Sequence, residues 1–363
     1  VHNQMLDQDG RVWMTARIRK PETPAFCREG SDHPSAKLTP MTRAPRSAAV
    51  YDPKTKEMKL IDLCFTTHHL VFAEDANNTL WFSGGGRNSG PVGWLNTKKF
   101  LETGDAAASQ GWTAIVLDTN ANGARDATDR KIDAGIYGIG YNPQDGSVWG
   151  SVMAFPGAVV RIAPGANPPA TTLSEYFEVP FQDPRTKFSG YGPRGADIDR
   201  NGVMWMGLAS GHLASFDRRK CKGPLNGPNA TGKHCPEGWE MWPLPGPQFR
   251  GVEETGSAQA SYYTWVDQHD TFGLGRNVPI ATGNNTDSLE ALVDGKFVTL
   301  RVPYPMGFFA KGLDGRIDDA NMGWKGKGLW STYSGRVPFH MEGGKGQTSK
   351  VVKFQLRPDP LAR

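Results

Sequence analysis

Apolar and polar positions alternate along this chain in short runs, and the runs recur. "DQDGRVWMT" at Asp7–Thr15 is a polar turn, an apolar residue, a Trp, then small or thioether residues. The same shape returns as "DANNTLWFS" at Asp75–Ser83, "PQDGSVWGS" at Pro143–Ser151 and "DRNGVMWMG" at Asp199–Gly207. Trp13, Trp81 and Trp149 are evenly spaced, and Trp205 follows after a somewhat shorter interval. Trp330 in "GLWSTY" lies two such periods beyond Trp205, so a degenerate copy is expected between them. "NVPIATG" at Asn277–Gly283 fits that place, with Pro279 where the Trp would be. A second pattern is phased with the first: "AVYDPKTKEMKLI" (Ala49–Ile61), "LASFDRRK" (Leu213–Lys220), "ALVDGKFVTLRV" (Ala291–Val302) and, more loosely, "VVRIAPG" (Val159–Gly165). Each puts an apolar strand before a polar turn, so every period predicts two strands around the Trp and two around that turn.

Four short antiparallel strands per period, repeated radially, make a β-propeller blade. One blade cannot bury both of its faces, so the Trp is expected to pack blade against blade. The prediction is an all-β propeller with six blade copies, at Trp13, Trp81, Trp149, Trp205, Pro279 and Trp330, spanning 1–363 as one domain. The periods exceed what four strands need. Long loops are therefore expected at about 20–46, 84–129, 222–256 and 312–328, where a rigid ring usually carries its function.

Composition agrees with short strands: 44 Gly, 27 Pro and only 38% hydrophobic residues in 363. No apolar run approaches the length of a bilayer-crossing helix, so no membrane span is expected. The net charge of +4 is scattered, with no basic stripe between aromatics, which argues against nucleic acid as a partner. The chain opens at Val1 without Met, so either a targeting segment has been removed or the protein extends upstream. Cys27, Cys64, Cys221 and Cys235 form no CxxC. Cys221 and Cys235 bracket a Gly-, Pro- and Asn-rich loop that a disulfide at its neck would close, and Cys27–Cys64 is the remaining pair. Loop-tethering pairs belong to oxidising compartments, so a periplasmic or extracellular location follows.

Candidate chemistry comes from the innermost strand of each blade, which should line the central channel. Counting back from each Trp by the length of the hairpin, with slack of a single position for bulges, gives His2, His69, Tyr137 and Arg194. The degenerate fifth copy offers Tyr262 and Tyr263, and the sixth offers Met306 and Gly307. His can act as base, Arg can hold an anion, and Tyr can donate a proton. Strand alternation makes His69 the preferred base, with His68 pointing the opposite way. A transition metal needs converging ligands, and only the His68–His69 pair hints at such a site.

"DTNANGARDATD" (Asp118–Asp129) carries a more specific signal. Asp118, Asn120, Asn122, Asp126 and Asp129 fall at loop positions 1, 3, 5, 9 and 12. Gly123 sits at the sharp turn of position 6, and Ala124 can give its carbonyl at position 7. Oxygen ligands at this spacing suit a structural Ca²⁺. The loop resembles those of EF-hand and dockerin modules, with Asp129 in place of the usual Glu and strand-like flanks in place of helices.

The D-x-x-G-x-V-W copies resemble those of the streptogramin lyase (virginiamycin B lyase) group and of SMP-30-like lactonases. "GSDHPSAK", "CFTTHHLVFAEDANNTLW", "ASFDRRKCKGPLNGP" and "VPYPMGFFAK" are more closely similar to segments of a group of long, predicted secreted bacterial propeller proteins. That resemblance implies strand-like sequence upstream of Val1 and so a seventh blade, and six and seven both stay open. The lyase resemblance implies elimination or hydrolysis on a small molecule or glycan, with a His base and a divalent cation, though no residue-by-residue correspondence emerges. The other reading is a non-catalytic propeller that grips a protein or glycan partner through its long loops. Trp94, Trp112, Trp239, Trp242 and Tyr304 would serve either.

Overall fold

Hydrogen bonds account for the repeated turn. The Asp7 carboxylate accepts the backbone N–H groups of Asp9 and Arg11 and, at 2.9 Å, the indole N–H of Trp13. Asp199 does the same for Asn201, Val203 and, at 3.1 Å, Trp205. Asp75 holds the N–H groups of Asn77 and Thr79. The acid thus fixes the hairpin and satisfies the single polar atom of a Trp whose ring faces the core. The third copy divides the task. Asn142 and Asp145 hold the turn, and Ser147 accepts from Trp149. With Pro279 in the fifth copy there is no indole, and Asp267 instead accepts from Thr271 and Phe272.

The structure is a computed structural model. It describes residues 2–17, 22–43, 46–84, 92–248, 250–251, 256–302, 310–317, 327–333 and 350–356. The fold is a six-bladed β-propeller. Blade one is β1 (Gln4–Leu6), β2 (Val12–Ala16), β3 (Ser47–Asp52) and β4 (Glu57–Ile61). Blade two is β5 (Leu70–Phe72), β6 (Thr79–Phe82), β7 (Val92–Asn96) and β8 (Gln110–Thr113), with a helix α2 (Thr97–Thr103; α1 is Pro34–Leu38) between its last two strands. β9 (Ile115–Leu117) and β10 (Arg130–Ile132) form a hairpin on the outer side of blade three. That blade is β11 (Ile136–Tyr141), β12 (Val148–Val152), β13 (Ala158–Ala163) and β14 (Leu173–Glu178), and β9 joins it by a parallel contact with β14. Blade four is β15 (Pro193–Ile198), β16 (Met204–Leu208), β17 (His212–Phe216) and β18 (Trp239–Pro243). Blade five is β19 (Thr264–Asp267), β20 (Val278–Gly283), β21 (Ser288–Val293) and β22 (Lys296–Arg301). Blade six has, among the described residues, β23 (Ala310–Ile317), β24 (Lys327–Tyr333) and β25 (Lys350–Phe354). Every repeat Trp, and Pro279, lies on the second strand of its blade, as the spacing predicts.

The blades fall into two compact units. Val1–Glu178 with Gly223–His234 form the first, and Val179–Lys222 with Cys235–Arg363 the second. Within the first, Trp13 is fully buried and meets Phe72 and Phe100 of the next blade, each at 6.4 Å between ring centroids. Trp81 likewise packs with Ile115, Ile136 and Val148 of blade three. Within the second, Trp205 stacks on Trp242 and packs with Ala281 and Leu292 of blade five. Trp13, Trp81 and Trp205 are therefore blade-to-blade packing groups.

Both expected disulfides are present, Cys27–Cys64 and Cys221–Cys235, and they fit a non-cytoplasmic compartment. No helix among the described residues is long and apolar enough to cross a membrane. Three expected loops prove to contain strands. The span 84–129 holds β7, α2, β8 and β9, and 222–256 holds β18. The span 312–328 overlaps β23 and β24, and its residues 318–326 lie outside the described ones. The third and fourth strands carry no Asp–Trp signature, and helix α2 interrupts their alternation, so they read as loop. The span 20–46 is a true insertion between β2 and β3 and carries α1.

Candidate functional site

In blades one to three a hydroxyl two residues after the Trp governs how the inner strand begins, and Thr282 does so in blade five. In blade one, the His2 N–H donates to the Thr15 carbonyl, the Thr15 N–H to the Asn3 carbonyl, and the Asn3 N–H to Thr15 Oγ1. In blade two, the His68 N–H donates to the Ser83 carbonyl, the Ser83 N–H to the His69 carbonyl, and the His69 N–H to Ser83 Oγ. Ser151 accepts the Gly138 N–H in blade three, and Thr282 accepts from both Tyr262 and Tyr263 in blade five. Each is a β-bulge in which two residues oppose one, so strict alternation fails there and side chains are re-aimed. The hydroxyls also run from blade to blade. Thr15 Oγ1 donates to the His68 carbonyl at 2.9 Å, and Ser83 Oγ to the Tyr137 carbonyl at 2.7 Å.

The bulge overturns one expectation. His68 and His69 do not point opposite ways: their ring centroids are 4.3 Å apart. His2 lies 4.0 Å from His68 and 5.2 Å from His69. Tyr137 completes the group at 4.8 Å from His68 and 5.1 Å from His69. One ring nitrogen from each of the three histidines lies within 4.8 Å of the others. His2 is exposed, His68 half-buried, and His69 and Tyr137 buried. Burial pushes His68 down to about 3, helped by the neighbouring His2 and Arg46. The same causes, with His68 added, hold His69 well below the usual histidine range. Both rings are neutral at physiological pH.

Arg46, just before β3, is a member that the sequence pattern does not reveal. Thr67 Oγ1 fixes its carbonyl. Burial and nearby Arg17 lower its affinity for a proton, and its buried Nη1 has no hydrogen-bond partner among the described residues. The signal available in the sequence is the hydroxyl series Thr15, Ser83, Ser151 and Thr282, which phases the inner strands better than counting back from the Trp.

Arg194 and Tyr263 belong to the second unit. The Arg194 guanidinium lies over the Tyr262 ring, 4.7 Å from its centroid, and the Gly195 N–H donates to the Tyr262 carbonyl. At Gly195 a Cβ would meet Tyr263 at 2.3 Å, so glycine alone allows this approach. Met306 and Gly307 lie outside the described residues.

The Asp118–Asp129 loop joins β9 to β10, so its flanks are strands as read from the sequence. Asp118 Oδ2 accepts the Gly123 N–H, Asn120 Oδ1 that of Asn122, and Asn122 Oδ1 that of Ala124. Gly123 takes φ +73°, which the turn requires. Asp126 Oδ2 accepts from the amides of Asn120 and Asn122, while Asp129 accepts from the backbone of Thr119 and Asp126. Asp118 is buried, and its Oδ1 has no hydrogen-bond partner among the described residues. Two larger concavities lie elsewhere. A mostly apolar one of about 390 Å³ is bordered by Met41, Phe65, Trp112 and Ile132 in the first unit. One of about 450 Å³ is bordered by Phe188, Trp239, Glu240 and Trp242 in the second.

Over 99% of its length the chain matches virginiamycin B lyase from Staphylococcus aureus, with a TM-score of 0.52, 10% identity and 85% of that chain covered. The chain has the fold of the streptogramin lyases. A streptogramin B lyase structure gives the same TM-score of 0.52, with 12% identity over 99% of this chain and 83% of that one. At these identities the likeness to the lyases is one of fold. No protein-family model matches the sequence, and no curated protein matches it.

Proposed function

We propose that this chain is a periplasmic or extracellular propeller that binds and converts a small molecule or glycan, by elimination or hydrolysis. The site is the mouth of the channel, where the inner strands of blades one to three begin. The observation that carries the reading is the gathering of His2, His68, His69 and Tyr137 beside half-buried Arg46. Neutral imidazoles accept protons, a phenol can donate one, and a guanidinium stabilises a developing anion. Arg194 and Tyr263 are proposed as ligand contacts within the second unit. The test is a screen of lactones, cyclic depsipeptides and oligosaccharides for mass-resolved turnover. His68→Ala and Tyr137→Phe should each cut turnover of a hit at least about 100-fold, the scale of a lost general acid or base. A hit that both variants process at full rate would place the site elsewhere.

A binding role has its own support in the second unit, where the 450 Å³ groove exposes aromatic edges beside Glu240. Saturable oligosaccharide binding lost in Trp242→Ala, without turnover, would favour it.

The Asp118–Asp129 loop is proposed to hold a structural Ca²⁺. The fit rests on buried Asp118 Oδ1, an oxygen left for a cation among Asn120, Asn122, the Ala124 carbonyl, Asp126 and Asp129. An ion there would tie the β9–β10 hairpin together. Ca²⁺ added to chelator-treated protein should raise the melting temperature by several degrees, and Asp118→Asn should abolish that rise; an unchanged melt rejects the ion.

A further inference from the structure

We propose that His2, His68 and His69 bind a first-row divalent transition metal, zinc foremost, and that Arg46 receives an anionic ligand of that ion. The inference rests on the reading of this cluster as the functional site and names what that site holds.

The donor set argues for this class of ion. Three imidazoles with no carboxylate among the described members of the cluster suit zinc, copper or nickel and do not suit Ca²⁺ or Mg²⁺. Three protein ligands leave a tetrahedral ion one open position, the arrangement of catalytic rather than structural zinc. Zn–N bonds of about 2.0–2.1 Å imply nitrogens roughly 3.4 Å apart in a tetrahedral site. The ligand nitrogens, within 4.8 Å of one another, need to close by up to about 1.4 Å. The fold supplies that movement at one member. The backbones of His68 and His69 are held by the bulge on Ser83, whereas His2 stands in the neighbouring blade with an exposed side chain and is the member that would shift.

The surroundings make the same case from the cost side. Buried His69, half-buried His68 and a half-buried guanidinium are gathered beside exposed His2, and no acid among the described residues of the cluster offsets them. A bare dication would be repelled by Arg46. An ion carrying hydroxide, carboxylate or phosphate in its open position would not, because the anion would lie between metal and guanidinium and give buried Nη1 an acceptor. Metal and anion together therefore satisfy groups that neither would satisfy alone.

The test titrates the chelator-treated full chain with Zn²⁺ by calorimetry and with Co²⁺ by visible absorption. One equivalent is expected to bind with Kd of about 1 µM or tighter, with the intense Co²⁺ bands of a four- or five-coordinate site. His2→Ala and His68→Ala should each weaken binding at least about tenfold with an unchanged melt of the metal-free protein. These two carry the test, because buried His69 is less safely replaced. Arg46→Ala should keep the metal but lose the shift in the Co²⁺ spectrum that acetate or inorganic phosphate produces. Absence of stoichiometric binding overturns the proposal, as does binding untouched by both His variants, which would put the ion elsewhere. Turnover that needs His68 but no metal would defeat this inference alone. Zinc held by the histidines without any effect of their loss on turnover or ligand binding would defeat the functional reading alone.

Discussion

Ser83 shows how much of the site one atom controls. Its buried Oγ accepts the His69 N–H and donates to the Tyr137 carbonyl, so it sets a bulge in its own blade and the start of the next blade's inner strand. Ser83→Ala leaves a buried donor and a buried acceptor unpaired, at a cost of about 1–3 kcal/mol. The expected result is a lower denaturation midpoint together with weaker ligand or metal binding, and Ser83→Thr should restore both. A midpoint equal to wild type would show that the hydroxyl does not hold the bulge. His212 tests a residue outside the site. Fully buried in β17, its Nδ1 is paired with Ser210 Oγ at 3.0 Å, and burial lowers it to about 4. Between about pH 6.5 and 4 the unfolded chain binds a proton that the folded chain refuses, so stability is lost as pH falls through that window. The loss attributable to His212 is up to about 3 kcal/mol. The pH dependence of the melting temperature in that window should be shallower in His212→Gln, and an identical slope would mean that the ring titrates normally.

At the scale of the element, what is legible in the sequence and what is not have one physical origin. The Asp-turn–Trp hairpins repeat because each must satisfy the same turn amides and the same indole, so four copies, the Pro279 variant and Trp330 are readable. The third and fourth strands need only apolar residues that fit a neighbour, so "VGWLN" in β7 carries no signature and reads as loop. The direction of His68 is hidden because alternation holds for a regular strand and fails at a bulge. Arg46 is invisible because a loop brings it to the cluster. The hairpins allow a graded prediction. Asp199 is buried and serves two amides and the Trp205 indole, whereas Asp75 is exposed and serves two amides. Asp199→Ala should cost about 2–3 kcal/mol and Asp75→Ala about 1 kcal/mol or less. Urea denaturation of the two variants gives the order, and a reversed order would mean that the indole bond contributes nothing.

Across the whole molecule, two covalent ties act on the unfolded chain as much as on the folded one. Cys221–Cys235 spans 14 residues and necks a segment, Gly223–His234, whose Gly227 and Gly232 bond Asp118 and Glu178 within the first unit. Cys27–Cys64 spans 37 residues and closes the insertion that carries α1. Loop-closure entropy grows with the logarithm of the span, so the longer tie should stabilise by roughly 1 kcal/mol more than the shorter one, whose own share is about 3 kcal/mol. Packing acts in the same direction, because Cys27 and Cys64 are both buried and their replacement leaves a cavity beside Phe65 and Trp112. Paired alanine variants separate the two ties. Cys27→Ala with Cys64→Ala should lower the midpoint further than Cys221→Ala with Cys235→Ala. The second pair should in addition loosen the Asp118 loop, seen as faster amide exchange at Gly123, because Gly227 then holds the Asp118 carbonyl less firmly. If the shorter tie proves the more stabilising, or if Gly123 exchanges at the same rate without it, then the necked segment is held by its own contacts and the disulfide adds only covalent closure.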